Sequence, residues 1–148
     1  METKTMGKVV VAARLENLGD AHDVFMGRLS PDQLRTVEVT DALIDTGASG
    51  LMAPHRLIAQ LGLTPIRKRV ARTMGGTIEI NVYRAIRLSV QGRDCICDVS
   101  AIADDLPVVI GQLPLEMMDW VVDMKGQRLI GNPAHGGEEM IEALSDDY

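Results

Sequence analysis

The sequence predicts a mostly β fold, a barrel or a sandwich of short strands accompanied by two short helices. Three observations predict it. Apolar segments of strand length recur throughout residues 8–130, turn residues such as Gly and Asp separate them, and two segments carry helical apolar spacing. Because the strands follow one another instead of alternating with helices, the pattern disfavours a βαβ array.

The first part of the chain is predicted to hold three strands and one helix. Residues 8–15 form a strand, residues 17–20 a turn, and residues 24–29 a weaker strand. Thr36–Ile44 alternates at first and then becomes continuously apolar, so we expect its end to enter the core. Residues 54–61 form the helix, since Pro54 suits its start, apolar side chains share one face, and Gly62 follows.

The second part is predicted to contain three hairpins and the second helix. Gly-containing turns mark the hairpins, and the first of these turns is Met74-Gly75-Gly76. The predicted strands span residues 67–73, 77–83, 85–90, 94–102, 106–110, 121–123 and 128–130, and the predicted helix spans residues 114–120. We expect one domain over residues 1–148, in which residues 133–148 form a polar, acidic and loosely held tail with a short helix at 140–144.

Composition argues against several classes of partner. The net charge of −6 disfavours nucleic acid and anionic membrane surfaces, and no apolar run approaches the length of a membrane span. Residues 1–6 are polar and the apolar run at 9–13 is too short for a secretory signal, so we expect a cytoplasmic location. Cys95 and Cys97 share one face of a predicted strand, which keeps them from pairing and fits a reducing compartment.

No metal and no cofactor are predicted. Cys95 and Cys97 would need two further ligands, and the three histidines show no zinc spacing. The loop at residues 47–50 follows a strand, as phosphate loops do, but it lacks the P-loop Lys and the βαβ context. Ser49 has neither a nucleophile elbow nor an assignable His base.

Asp45-Thr46-Gly47 is the most informative motif of the chain. It closes the apolar run of the Thr36–Ile44 strand, where an ionised Asp is costly unless something nearby satisfies it. Thr46 adds a hydroxyl, and Gly47 lets the backbone bend sharply. The motif therefore suits a site that presents one carboxylate on a rigid loop. The alternative is a turn carboxylate that only caps its own loop through nearby N–H groups.

The order of elements around Asp45 resembles the retropepsin-like aspartic proteases, the single-domain relatives of pepsin. The shared order is a strand, the sequence DTGAS, a helix, a Gly-tipped hairpin, the sequence Val109-Ile110-Gly111 and a second helix, within roughly residues 8–132. The resemblance implies the closed β-barrel of the acid protease fold, with Asp45, Thr46 and Gly47 as catalytic residues. It also implies substrate-binding roles for the catalytic loop, a flap and an apolar strand beneath the loop, namely Ala48, Ser49, Met74, Gly75, Gly76, Ile110 and Gly111.

This resemblance predicts an aspartic endopeptidase that acts on peptides or proteins. Hydrolysis without metal or covalent nucleophile needs a base and an acid, and two neighbouring carboxylates that share a proton supply both. Since the chain holds one DTG motif, we expect a homodimer that contributes one Asp45 from each copy. The alternatives are a non-catalytic peptide-binding or scaffold module on the same fold, and a protease restricted to one partner or to its own precursor.

Overall fold

The computed structural model describes residues 8–143, and strands make up most of the regular structure there. The strands are β1 (Val9–Asn17), β2 (Thr36–Ile44), β3 (Leu51–Pro54), β4 (Thr64–Thr73), β5 (Gly76–Val90), β6 (Arg93–Ile102), β7 (Val109–Ile110), β8 (Trp120–Asp123) and β9 (Arg128–Gly131). The α-helices are α1 (Leu18–Phe25), α2 (His55–Leu61) and α3 (Gln112–Met117), and single 3-10 turns occur at Pro31–Gln33 and Pro133–His135.

Six of the strands close into a barrel. Their order is β1-β2-β7-β3-β6-β5, and β5 pairs back with β1 from Arg14 opposite Ser89 to Asn17 opposite Ile86. Within residues 8–143, strand β4 lies outside the ring and pairs only with the first half of β5, so β4 and β5 project as a long hairpin. The predicted barrel with few short helices is confirmed.

Strand β7 links the two halves of the barrel although it is only two residues long. It runs parallel to β2, with Ile110 opposite Ile44, and antiparallel to β3, with Ile110 also opposite Leu51. Ile110 is completely buried in this position. The ends of β2 and β7 therefore lie side by side, and the loop that follows β2 begins directly beside Ile110.

The barrel interior is an aliphatic core. Alternate residues of β1 point inward, as the period of a strand requires, and Leu15 is completely buried. Burying one such side chain contributes about 1.5–3 kcal/mol. Helix α2 covers one side of the core with three buried apolar residues, and it ends as predicted at Gly62, whose φ is +63°. The other side chains that are less than 2% exposed include Leu61, Ile86, Leu88, Ile110, Leu115 and Met118.

The predicted turn at 17–20 and the predicted strand at 24–29 are wrong, because helix α1 occupies residues 18–25. The Asn17 side chain caps the helix by accepting a hydrogen bond from the Asp20 N–H at 3.0 Å. The Asp20 carboxylate in turn accepts two guanidinium hydrogen bonds from Arg35, at 2.7 and 3.0 Å. A partner fifteen residues away thus stabilises a helix that contains Gly19 in its first turn.

Several element boundaries also differ from the prediction. Strand β3 was not predicted, and the segments at 77–83 and 85–90 form one strand, β5, with an irregularity between Tyr83 and Ile86 in its pairing to β6. The strand predicted at 106–110 is shortened to β7. Helix α3 begins two residues before Pro114, and Trp120 belongs to β8 instead of the helix. Short strands and helices take their limits from neighbours, which the local pattern does not contain.

The predicted loosely held tail is wrong for residues 133–143. The buried Asp119 carboxylate accepts hydrogen bonds from the Asn132 side chain at 3.2 Å and the Met140 N–H at 3.0 Å, and it pairs with His135 Nδ1 at 2.7 Å. We call Asp119, Asn132, His135 and Met140 the C-terminal clasp. Residues 140–143 are irregular instead of helical, and the last residue of the predicted helix, Leu144, lies outside the described residues.

Candidate active site

The loop that carries Asp45 rests on the segment that follows β7. The Asp45 N–H donates to the Ile110 carbonyl at 3.0 Å, and the Gly111 N–H donates to the Gly50 carbonyl at 2.9 Å. Two more backbone bonds of 2.9 Å join Gln112 to Ala48 and Leu113 to Ser49. Residues 45–50 are therefore fixed to the segment after β7 through backbone hydrogen bonds.

The Asp45 carboxylate is exposed and aimed away from the core. Its Oδ1 atom accepts a hydrogen bond from the Gly47 N–H at 2.9 Å. Within residues 8–143 this is the one hydrogen bond to the carboxylate, and no cation pairs with it. One oxygen is thus oriented by the loop, while the other remains available to water, substrate or a second carboxylate.

A cleft of about 590 Å³ opens between the Asp45 loop and the β4–β5 hairpin. On the loop side it is lined by Asp45, Gly47, Ala48, Ser49 and Gly50. On the hairpin side it is lined by Arg69, Val70, Ala71, Arg72 and Ile80. The Asp45 carboxylate therefore lies in a cleft whose opposite wall is the hairpin.

The turn at the hairpin tip contains a positive φ angle, which glycine adopts readily. Gly76 has φ of +118°, which side-chain-bearing residues rarely adopt, and the Thr73 hydroxyl donates to the Gly76 carbonyl at 2.8 Å. The Gly75 N–H donates back to the Thr73 hydroxyl at 3.3 Å, and Met74 is fully exposed. The predicted hairpin at 67–83 is confirmed, but Met74, Gly75 and Gly76 lie beyond the cleft lining.

The structure separates the predicted site residues into three places. The cleft itself contains Asp45, Gly47, Ala48 and Ser49, and Thr46 is exposed on the same loop. The tip of the hairpin holds Met74, Gly75 and Gly76. The support beneath the loop consists of Ile110, which is fully buried, and Gly111, which is buried against the backbone of the loop.

Several residues of the cleft wall were not predicted from the sequence. Arg69 and Ala71 come from β4, Ile80 comes from β5, and Ser100 reaches the cleft from β6. Alternation within the predicted hairpin places Arg69 and Ala71 on one face, but Val70 and Arg72 from the other face line the cleft as well, so alternation alone does not identify this wall. Nothing local marks Ser100, because it lies here through the parallel pairing of β6 with β3.

The two cysteines are free thiols on β6. Cys95 is buried and Cys97 is partly buried on the same strand, as their spacing predicts. Hydrogen bonding between the two thiols raises the pKa of Cys97 above its ordinary value, and burial raises it further. Cys97 therefore remains a protonated thiol at neutral pH, which does not suit a nucleophile.

Neither a membrane-spanning helix nor a metal-binding cluster occurs among the described residues. Among residues 8–143 no helix is long and apolar enough to cross a membrane. The same residues include no group of three or more His, Cys, Asp or Glu side chains placed to hold a metal ion.

Comparison with known proteins agrees with this geometry. A search of curated proteins finds no match. A family model described as "Aspartyl protease" matches residues 33–130, which is well over half of the chain. The matched segment contains the Asp45 loop, the β4–β5 hairpin, and β7 with the support that follows it. The chain therefore belongs to this retropepsin-like aspartyl protease family.

Proposed function

We propose that the protein is a homodimeric aspartic endopeptidase in which Asp45 of each copy supplies one half of the catalytic pair. One observation carries the proposal. Asp45 stands exposed on a backbone-fixed loop at the floor of a cleft, directly below a projecting hairpin. In this proposal the chain acts as one catalytic domain in the cytoplasm, and its substrate is a peptide or protein.

The chemistry follows from the proximity of two carboxylates. Like charges at short distance cannot easily both ionise, so the two Asp45 side chains share a proton and titrate as a pair. Aspartic proteases are the general example of this sharing. The ionised member takes a proton from the attacking water, and the protonated member donates to the carbonyl oxygen of the scissile bond. The Gly47 N–H orients each carboxylate for these steps.

A symmetric dimer supplies what one copy lacks. Asp45 and Thr46 are both exposed in the single chain, so a second copy is free to approach them across a two-fold axis. Thr46 then braces the two loops against each other. The β4–β5 hairpin closes over an extended peptide, pairs with its backbone and keeps bulk water from the reacting bond.

The test is the Asp45→Asn variant, assayed with a fluorogenic peptide library. We expect hydrolysis to fall at least about a hundredfold, because Asn cannot take up the proton. Asp41→Asn is the matched control, since Asp41 is exposed on β2, the strand that leads into the Asp45 loop, but lies outside the cleft. Wild-type activity is expected to be highest below neutral pH, to resist metal chelators, and to be blocked by hydroxyl-isostere inhibitors that mimic the tetrahedral state.

The same experiment addresses the dimer and the second candidate function. Sedimentation measures whether the active species is a dimer. A fully active Asp45→Asn protein, or activity abolished by a chelator, contradicts the mechanism. The Gly47 bond also fits a carboxylate that merely caps its loop, as a peptide-binding module on this fold would have. A folded wild type that binds peptides and cleaves none identifies that module.

A further inference from the structure

A smaller pocket adjoins the Asp45 cleft on the side of β6. It has a volume of about 200 Å³ and shares Gly50, Leu51, Arg69 and Ser100 with the cleft. Arg67 and Asp98 contribute the other charged groups of its lining. A peptide lying in the cleft would therefore pass the opening of a pocket that contains two guanidinium groups.

Strand pairing places both arginines on the inner face of the hairpin. Arg67 is opposite Val82 and Arg69 is opposite Ile80, and residues directly opposite in antiparallel strands project to the same side. Val82 is buried in the lining of the pocket, and Ile80 lines the cleft. The two guanidiniums therefore extend towards the space that a peptide would occupy.

These two arginines have no carboxylate partner among residues 8–143. By contrast, Arg14, Arg35 and Arg87 all form ion pairs at 2.6–2.9 Å with carboxylates, which outnumber the cationic side chains in this sequence. Asp98 is exposed at the same pocket, yet it forms no ion pair with either arginine within the described chain. Within the described residues, a protein with a net charge of −6 thus leaves Arg67 and Arg69 without an ion-pair partner, as it does Arg72 of the cleft lining.

Protection of the sheet edge does not explain this placement. Strand β4 is an edge strand, and charged side chains on edge strands prevent pairing with other molecules. Lys68 provides that protection, since it lies between the two arginines on the opposite face and pairs with Glu79 at 3.7 Å. Arg69 instead lines both the cleft and the adjoining pocket, and Arg67 lines the pocket, where a ligand is the partner that remains.

We infer that the pocket lined by Arg67 and Arg69 is a subsite for an acidic side chain of the bound peptide. A Glu or Asp carboxylate there accepts charge-assisted hydrogen bonds from the two guanidiniums, whose planar donors match its geometry. The open edge of β4 is free to pair with the peptide backbone in the same pose. The inference rests on the proposed function, because it names the substrate class of that cleft.

The test measures binding separately from cleavage. Fluorescein-labelled octapeptides of mixed sequence, with one fixed position as Glu, Gln or Lys, are titrated into the Asp45→Asn protein at low salt. We expect Glu to bind about tenfold more tightly than Gln at one position, and the difference to shrink as salt screens it. The preference is expected to disappear in a protein that also carries Arg67→Gln and Arg69→Gln. Lys68→Gln, which removes one positive charge from the other face of β4, is expected to keep it.

Each other result overturns the subsite. Equal affinity for the Glu and Gln peptides means that no specific pocket binds the carboxylate. A loss of preference in Lys68→Gln as large as that in the double Arg variant means the same. Tighter binding of a single-stranded RNA oligomer than of the Glu peptides, lost in the double Arg variant, means that the occupant is a nucleic acid. Arg69→Glu, with folding verified by circular dichroism, is a second variant and is expected to reverse the preference towards Lys.

Parallel hydrolysis assays with the wild type keep the two proposals distinguishable. Hydrolysis without a Glu preference overturns the acidic subsite and leaves the endopeptidase proposal intact. A Glu preference that depends on Arg67 and Arg69, without any hydrolysis, supports the subsite and overturns the endopeptidase.

Discussion

Gly111 lies directly beneath Ala48, and the space between them has no room for a side chain. A Cβ atom on Gly111 would stand 2.6 Å from the Ala48 carbonyl oxygen and 2.5 Å from the carbonyl oxygen of Gly50. Both contacts are with backbone, which cannot rotate away. The φ of Gly111 is −88°, an ordinary value, so glycine is required here for space instead of conformation. The glycine thus allows the support of the Asp45 loop to approach it closely.

We therefore expect Gly111→Ala to lower the free energy of unfolding by about 1–3 kcal/mol, as overpacked sites do. The rate of hydrolysis is expected to fall by more than the loss of folded protein explains, because the Asp45 loop must move to admit the methyl group. Urea unfolding and the peptide assay measure the two effects. Gly50→Ala is the control for stability, since a Cβ there meets nothing within 4 Å. Equal stability losses in the two variants would show that the contact does not constrain the loop.

We expect substitutions of the two neighbouring glycines at the hairpin tip to have different effects. Gly76→Val forces a β-branched residue into a φ of +118°, whereas a side chain on Gly75 meets open space at an ordinary φ. The tip carries no core, so neither change is expected to lower global stability by more than about 1 kcal/mol. If the hairpin is a lid, Gly76→Val reduces kcat/KM strongly and Gly75→Val reduces it less. Unchanged turnover in Gly76→Val would mean that the hairpin is purely structural.

Glu16 is a buried charge that the fold depends on. Its carboxylate, whose side chain is 7% exposed, accepts from Arg87 at 2.9 and 2.6 Å and from Arg14 at 2.9 Å. Burial raises its pKa, but these two arginines outweigh burial and hold the pKa below its usual value. We expect Glu16→Gln to cost about 1–2 kcal/mol in urea unfolding, less than a fully buried pair because the arginines can rehydrate.

Glu38→Gln is the control for Glu16, because Glu38 pairs with the same Arg14 but is 70% exposed. We expect this variant to cost less than about 1 kcal/mol. Since the pKa of Glu16 is lowered on folding, its contribution is present above the unfolded pKa and is lost as pH falls through the folded pKa. A Glu16→Gln penalty that does not diminish in acid would contradict this assignment.

The C-terminal clasp is expected to weaken as pH rises. Asp119 raises the pKa of His135, and Glu142 raises it further. A group whose pKa rises on folding stabilises the fold fully below its unfolded pKa, near 6.5, and this stabilisation is lost as pH rises through the folded pKa. Hydrogen bonding from His135 lowers the pKa of Asp119, with Asn132 and the Met140 N–H adding to the effect, so Asp119 stays ionised in mild acid.

Thermal unfolding of the wild type and of His135→Gln measures this effect. The difference in Tm between them is expected to be larger at pH 6 than at pH 9. Trp120, the one tryptophan of the sequence, gives a local readout, because Arg93 stacks on its ring at 4.0 Å and donates to the Gly137 carbonyl at 2.8 Å. A Tm difference that is the same at both pH values would show that the His135 charge does not hold the clasp.

The sequence by itself determined the elements whose signals are local. Strand β2 has the predicted limits, α2 ends at Gly62 through its positive φ, and the turn at Gly75-Gly76 joins the predicted hairpin. The alternating apolar pattern also determined the mostly β class. These features depend on backbone freedom and on the spacing of apolar residues, and both properties are complete within a few consecutive residues.

Only the tertiary structure decided the features that rely on distant partners. Helix α1 is stabilised through Arg35, β3 exists because β6 and β7 flank it, and the tail is held by Asp119. The bonds between the Asp45 loop and the segment after β7 hold that loop in place, and the pairing of β4 with β5 brings Arg69 to the cleft and Arg67 to the adjoining pocket. The physical reason is that hydrogen bonds and ion pairs between segments far apart in sequence fix these arrangements, and no local propensity encodes such partners.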